Sequence, residues 1–125
     1  MIAIDTSSMV GFLEGDSGAD AHLVNQVLGE HRGVFPPVVL TELLSDPKLD
    51  AGIATLLREI PVLETLSGFW ERAGVLRAKI LARGLKARLA DALVAQSCID
   101  HGVSLIARDA DFRHFARFGR LVLAQ

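Results

Sequence analysis

The sequence predicts an α/β sandwich built around a mostly parallel sheet, and three observations carry that reading. Short apolar runs alternate with helical stretches of ten to seventeen residues, the pattern of strands joined by crossover helices. Gly and Pro stand where one periodicity gives way to the other. The 125 residues are 50% hydrophobic and 22% charged, with a mean hydropathy of +0.37. A chain of this length buries roughly two-thirds of its unfolded surface without a metal or disulfide staple. A disordered linker lacks the apolar surface to offset chain entropy and is excluded. Residues 1–125 are therefore expected to form one domain.

Met1-Ile2-Ala3-Ile4 is a short apolar run ended by the polar cluster Asp5-Thr6-Ser7-Ser8, which suits a buried strand better than a helix. Met9 to Leu13 reads as a short helix after it. Asp16 to Arg32 carries Ala21, Val24, Val27 and Leu28 at helical spacing, with Gly33 where a C-cap glycine belongs. Val34-Phe35 is a short strand. Pro36-Pro37 opens a helix through Leu44, and Asp46-Pro47 breaks it. Ile53 to Ile60 is helical and stops at Pro61; Val62-Leu63-Glu64 is a brief strand. Phe69 to Arg83 is a helix with Trp70, Ala73, Leu76, Ile80 and Leu81 on its apolar side, closed by Gly84. Leu89 to Ile99 is a helix with small residues almost all round, ended by His101-Gly102. Val103 to Ala107 is a buried strand; a short helix containing Phe112 and the run Leu121-Val122-Leu123 follow.

Composition narrows the function classes. One cysteine, Cys98, excludes an internal disulfide framework and a cysteine-based zinc site, and its apolar helix marks it as an inert core residue. No apolar run is long enough to span a membrane. The first residues carry no basic stretch and reach Asp5 early, unlike a secretory signal, so a cytoplasmic domain is expected. The net charge of -2 hides an asymmetry: residues 1–71 hold three basic groups against eleven acidic ones, and residues 72–125 hold ten against four. Such a block can mark a phosphate-facing surface, although solvated helix faces give the same count.

The chemistry lies in the acids. Asp5 directly follows the first strand, and Asp109 comes two residues after the strand 103–107. Ligands of open parallel sheets sit beyond the carboxyl ends of the strands. Glu42 is embedded in Val-Val-Leu-Thr-Glu-Leu-Leu, and Asp91 is the only charge between Arg88 and Asp100. A carboxylate among apolar neighbours is costly unless paired, protonated or bound to a metal. Two carboxylates ~4 Å apart repel by about 4 kcal/mol at an effective dielectric of ~20. A divalent cation removes that repulsion, and hard oxygen donors suit Mg²⁺ or Mn²⁺.

Each acid also has a structural role open to it. Asp5 could cap the helix near Ser7, and Asp109 or Asp111 the helix containing Phe112. Asp91 could favour its helix dipole or pair with Arg88, and Glu42 could reach solvent. Ser7, Ser8, His101 and His114 lack a nucleophile elbow, and Gly15 and Gly18 lack the spacing of a phosphate loop. The histidines are expected at the surface, and Trp70 in packing.

Met1-Ile-Ala-Ile-Asp-Thr-Ser, Pro37-Val-Val-Leu-Thr-Glu-Leu-Leu, Leu89-Ala-Asp-Ala-Leu-Val-Ala and Ala107-Arg-Asp-Ala-Asp-Phe occur in series. In that order and spacing they resemble the PIN domain, and within it the VapC-type ribonuclease toxins of prokaryotic toxin–antitoxin pairs. The resemblance covers essentially the whole chain. It implies a three-layer α/β/α sandwich with a mostly parallel central sheet and a site of acids that hold Mg²⁺, with Mn²⁺ as substitute. Carried over by position, Asp5, Glu42, Asp91 and Asp109 are the catalytic acids, with Asp5, Asp91 and Asp109 as metal ligands. Ser7 supports the site, and Asp111 assists or replaces Asp109. Ala107 departs from the Thr or Ser usual two places before the fourth acid, which removes a hydroxyl that helps to position the site.

The implied reaction is hydrolysis of an RNA phosphodiester, in which a water acidified by the cation attacks phosphorus and leaves a 5′-phosphate and a 3′-hydroxyl. Glu42 would orient or deprotonate that water. Arg88 and Arg108 are the candidate nucleic-acid contacts, with Arg108 alternatively pairing with a nearby acid. The resemblance also implies a homodimer and a cognate antitoxin, with Met9, Val10, Phe12, Leu13 and the Ile53–Ile60 region as its docking groove. A DNA-directed PIN-fold nuclease and a non-catalytic PIN-fold binding module are the alternatives. A phosphoacceptor receiver domain fits poorly, because the first strand ends in one Asp and no Lys follows residue 86.

Overall fold

The computed structural model describes residues 1–124. Strands β1 (Ile2–Ile4), β2 (Gly33–Val34) and β3 (Ser104–Ile106) form one sheet in the order β2-β1-β3. All pairings are parallel, with Ala3 opposite Val34 on one side and Leu105 on the other. Single parallel bridges extend both edges, Phe35 to Val62 and Leu105 to Leu123. The expected strand at 62–64 thus shrinks to one bridging residue, and the run 121–123 contributes one as well.

Among the described residues, seven helices connect and cover these strands: α1 (Thr6–Leu13), α2 (Ala19–Gly29), α3 (Pro37–Leu44), α4 (Ala51–Glu59), α5 (Phe69–Leu81), α6 (Leu89–His101) and α7 (Phe112–Phe118). Helices α1 and α2 pack on each other, and α2 lies against β2 and β3. On the other side α5, α6 and α7 pack together, with α6 against β3. Helix α3 touches both α1 and α6 and so joins the two helical layers. This is the α/β sandwich that the alternating pattern predicts. Coverage on both faces explains why Ala3, Ile4, Leu105 and Ile106 are apolar without alternation, and all four are essentially inaccessible. Among the described residues, no helix is long and apolar enough to cross a membrane.

Local signals place most helix ends. Pro37 is the first residue of α3, and Gly84 and Gly102 take the left-handed conformation (φ +71° and +62°) after α5 and α6. Three expectations are corrected. Helix α1 begins at Thr6 rather than Met9, because Asp5 already occupies its N-cap position. The left-handed residue after α2 is His31 (φ 55°), not Gly33. Gly33 belongs to β2, where an added Cβ would stand 2.8 Å from Leu28 Cδ2, so glycine serves close approach there. The buried stripe of α5 is Phe69, Ala73, Leu76 and Ile80; Trp70 is 63% exposed and Leu81 45%. Trp70 stacks edge-on against Phe69 at the surface instead of packing inside.

Candidate active site

Parallel strands β1 and β3 end side by side, and the N–H of Asp5 donates to the Ile106 carbonyl at 2.9 Å. That bond sets the start of α1 beside the loop leading to α7. Asp5 is 6% exposed and sits at the N-cap of α1, yet its side chain makes no capping hydrogen bond. Instead Oδ2 accepts from Ser7 Oγ at 3.1 Å. Burial pushes the Asp5 carboxyl above the ordinary carboxylate range, against the pull of the Thr6 and Ser7 N–H groups and the Ser7 hydroxyl; the Glu42 charge adds to the rise.

Glu42 projects from α3 and is exposed. Its Oε1 accepts from Thr6 Oγ1 at 2.7 Å, which ties α3 to the first turn of α1. Glu42 therefore does not simply reach solvent. Asp91 lies in the first turn of α6, half-buried, and its Oδ2 is fully buried with no hydrogen-bond partner. Its carboxyl is pushed up to about 6, first by burial, then by the charges of Asp5 and Asp109, with Glu42 adding and Arg88 opposing. An unpaired buried carboxylate oxygen in the field of three other acids is an arrangement that stability alone disfavours.

Asp109 follows β3 and accepts the Asp111 N–H on Oδ1 at 2.8 Å, a local turn that launches α7. The helix-start role therefore falls to Asp109, and it occupies one of its two oxygens. Asp111 is the N-cap residue of α7 but makes no capping bond; its Oδ2 faces Lys86 Nζ at 3.7 Å. Asp5, Glu42, Asp91 and Asp109 thus share one electrostatic neighbourhood, while Asp111 is turned toward a lysine. Among the described residues, no three acids stand close enough together to form a coordination set.

The two basic candidates part company. Arg88 precedes α6, is exposed, and has no carboxylate within 4 Å among the described residues. Arg108 is committed elsewhere. Its Nε and Nη2 donate to the two Asp20 oxygens at 2.9 and 3.1 Å, and Nη2 lies 2.9 Å from Asp16 Oδ2. The guanidinium lies across α1 where Gly11 leaves room, since an added Cβ at residue 11 would collide with Arg108 Nη2. Ser8 Oγ completes the network by donating to Asp20 at 2.9 Å. The Arg108 hydrogen bonds pull the Asp20 carboxyl down against its burial, and Ser8 lowers it further. Arg108 fastens the residue next to Asp109 to α1 and α2. Asp16, Asp20 and Gly11 carry no sequence signal for this, because their partner is some ninety positions away; a glycine inside an otherwise apolar helix is the one local hint. Cys98 is fully buried, with its thiol pushed up to about 12 mainly by burial, and is inert.

On the far side of α1, an apolar groove of about 560 Å³ runs between α1 and α4. Met9, Phe12 and Leu13 line it from one side and Ile53, Leu56 and Ile60 from the other. Val10 does not line it and faces solvent.

Comparisons with known proteins place the fold in a family. The PIN domain family model matches residues 2–118. Ribonuclease VapC11 of Mycobacterium tuberculosis is 32% identical over 132 residues, covering 99% of this chain and 98% of its own length. Two solved structures share the fold. VapBC2 from Rickettsia felis, bound to a DNA fragment from their promoter, has a TM-score of 0.71 at 19% identity, over 99% of this chain and 98% of that one. FitAcB from Neisseria gonorrhoeae has a TM-score of 0.71 at 15% identity, over 100% and 97%.

Proposed function

Because the chain belongs to the PIN-domain family, with the VapC ribonucleases among its relatives, we propose that it is a divalent-cation-dependent endoribonuclease and the toxin of a toxin–antitoxin pair. The observation that carries the catalytic reading is Asp91, whose Oδ2 is buried and unpartnered and whose carboxyl lies in the field of Asp5, Asp109 and Glu42. Such a donor set fits a hard cation, Mg²⁺ or Mn²⁺. Asp5, Asp91 and Asp109 would hold it directly or through water. When bound, the cation offsets their repulsion, acidifies an adjacent water and stabilises charge on the phosphate.

The chain's own residues supply the rest. The Ser7 hydroxyl fixes one Asp5 oxygen. Thr6 anchors Oε1 of Glu42 and leaves Oε2 to orient the attacking water and take its proton. Water oxygen bonds to phosphorus as Glu42 takes its proton, the bond from phosphorus to the 3′ oxygen breaks, and that oxygen takes a proton from solvent to become a 3′-hydroxyl, leaving a 5′-phosphate. Arg88, unpaired beside Asp91, contacts the phosphate backbone. Arg108 positions the Asp109 segment rather than RNA. Asp109 is preferred over Asp111 as the fourth acid because its charge acts on Asp91, whereas Asp111 faces Lys86.

The groove between α1 and α4 suits the apolar face of an antitoxin segment. The solved complexes named above supply the precedent for such a partner. A homodimer acting in the cytoplasm completes the reading. The purified protein is expected to cleave single-stranded RNA with Mg²⁺ or Mn²⁺, to stop with EDTA, and to arrest growth when expressed alone. Cleavage indifferent to chelation excludes the metal-dependent reading, and unhindered growth excludes the toxin role.

A further inference from the structure

Two stretches of chain leave the acid cluster side by side. One runs backward from Asp91 through Arg88 and Lys86 to Arg83, at the end of α5. The other runs forward from Asp109 along α7 to Arg117 and Phe118. They are linked near the acids by Lys86 and Asp111, and at the far end by Arg83, whose guanidinium carbon lies 4.8 Å from the Phe118 ring centre. Arg117 approaches the same ring at 5.0 Å. Seven helical residues span about 10 Å, so this cluster stands roughly that far from the start of α7.

The strip is ordered and positively charged. Arg77 Nε donates to the Ala87 carbonyl at 2.8 Å, and the Leu85 N–H reaches Ile80, pinning the connection between α5 and α6. Arg83, Arg88, Arg113 and Arg117 are exposed and have no carboxylate within 4 Å among the described residues. Elsewhere on the surface Arg32, Arg72 and Arg108 are each neutralised by an acid, while Arg58 and Arg120 stand singly without one among the described residues. An excess of unpaired guanidinium groups that starts at a phosphodiester-cleaving site and ends on an aromatic ring has the makings of a nucleic-acid track. Guanidinium planes and aromatic faces stack unpaired bases, and cations follow the backbone.

We infer that the strip from Arg88 and Lys86 to the Arg83–Phe118–Arg117 cluster binds single-stranded RNA flanking the scissile phosphate, with a base stacked on the cluster. This rests on the RNA-hydrolase reading and adds to it the path of the strand. Duplex RNA, whose bases are already stacked on one another, gains only the phosphate contacts. The Arg83–Phe118–Arg117 end of the strip is distinct from the acids, so changing it alters affinity for long substrates and leaves the chemical step intact.

The test compares wild type with Arg83→Ala/Arg117→Ala and Arg83→Lys/Arg117→Lys, using a long mixed-sequence single strand and a short oligonucleotide that ends before the cluster. All three proteins are first checked for equal thermal melting. The alanine pair is expected to raise KM for the long strand about tenfold to a hundredfold, the range for losing one stacked base. It should also lower the salt slope of binding by about 1.4, for two lost cations. The lysine pair should keep the salt slope and lose the stacking part. Cleavage of the short oligonucleotide should be unchanged in both. Equal KM for the long strand in wild type and the alanine pair overturns the track, as does duplex RNA competing as well as the single strand. A wild-type protein that neither binds nor cleaves RNA overturns the underlying reading instead.

Discussion

Asp91→Asn is expected to lower RNA cleavage roughly a hundredfold or more while the domain stays folded. Asp91 is where the structure pays most for its site: one oxygen is buried without a partner, and the carboxyl sits in the field of Asp5, Asp109 and Glu42. Asn keeps the shape and removes the charge that a cation needs. Asp5→Asn should act similarly, because Asp5 is buried and held by Ser7. A merely structural acid would show the opposite balance, with folding damaged and activity reduced only in proportion. Cleavage kinetics read beside thermal melting separate the two cases.

The second large effect is on stability, and it runs against the usual direction. The Asp91 carboxyl rises from 3.8 to about 6 on folding. The folded state therefore holds that proton more tightly than the unfolded chain. Below about pH 4 both states are protonated and Asp91 contributes nothing; as pH rises toward and past about 6 the folded state carries an unfavourable charge. In the absence of cation, Asp91 should cost the protein stability over that window. A rise of this size is worth about 3 kcal/mol at most, and screening of a half-exposed group leaves about 1 kcal/mol. Asp91→Asn should accordingly melt about 4 °C higher than wild type at pH 7 without cation, with the gap closing toward pH 4. Asp16, Asp20 and Asp100 have lowered carboxyls and lose stability as pH falls, but they are common to both proteins and cancel in the difference. Saturating Mg²⁺ should stabilise wild type and narrow the gap. Melting curves across pH, with and without Mg²⁺, check the sign.

The parts of the fold written in local chemistry were legible. Pro37 starts α3, Gly84 and Gly102 stop α5 and α6, and the apolar runs 1–4 and 103–107 contain the strands β1 and β3. The four acids stood out because each breaks an apolar context at a strand end or on a helix. What escaped depends on partners distant in the chain. Whether Trp70 or Phe69 faces inward is decided by how α5 lies on α6, and a one-residue rotation of the stripe leaves Trp70 outside. Arg108 was open to either RNA or an acid, and nothing near it in sequence announces that the acids are Asp16 and Asp20. Asp109 and Asp111 were indistinguishable as helix-start acids; packing that brings Lys86 to Asp111 separates them. His31 rather than Gly33 takes the left-handed turn, because α2 closes there with the His31 N–H on the Leu28 carbonyl and the Arg32 N–H on the Val27 carbonyl, before β2 begins.

The central claim is that Asp5, Asp91 and Asp109, with Glu42 beside them, make one cation site. Mn²⁺ titration followed by electron paramagnetic resonance tests it without relying on turnover. Wild type should take up Mn²⁺ and release it to Mg²⁺, and Asp5→Asn, Asp91→Asn and Asp109→Asn should each weaken uptake about tenfold or more, while Asp111→Asn changes it little. Uptake that is undiminished in all three variants contradicts the claim.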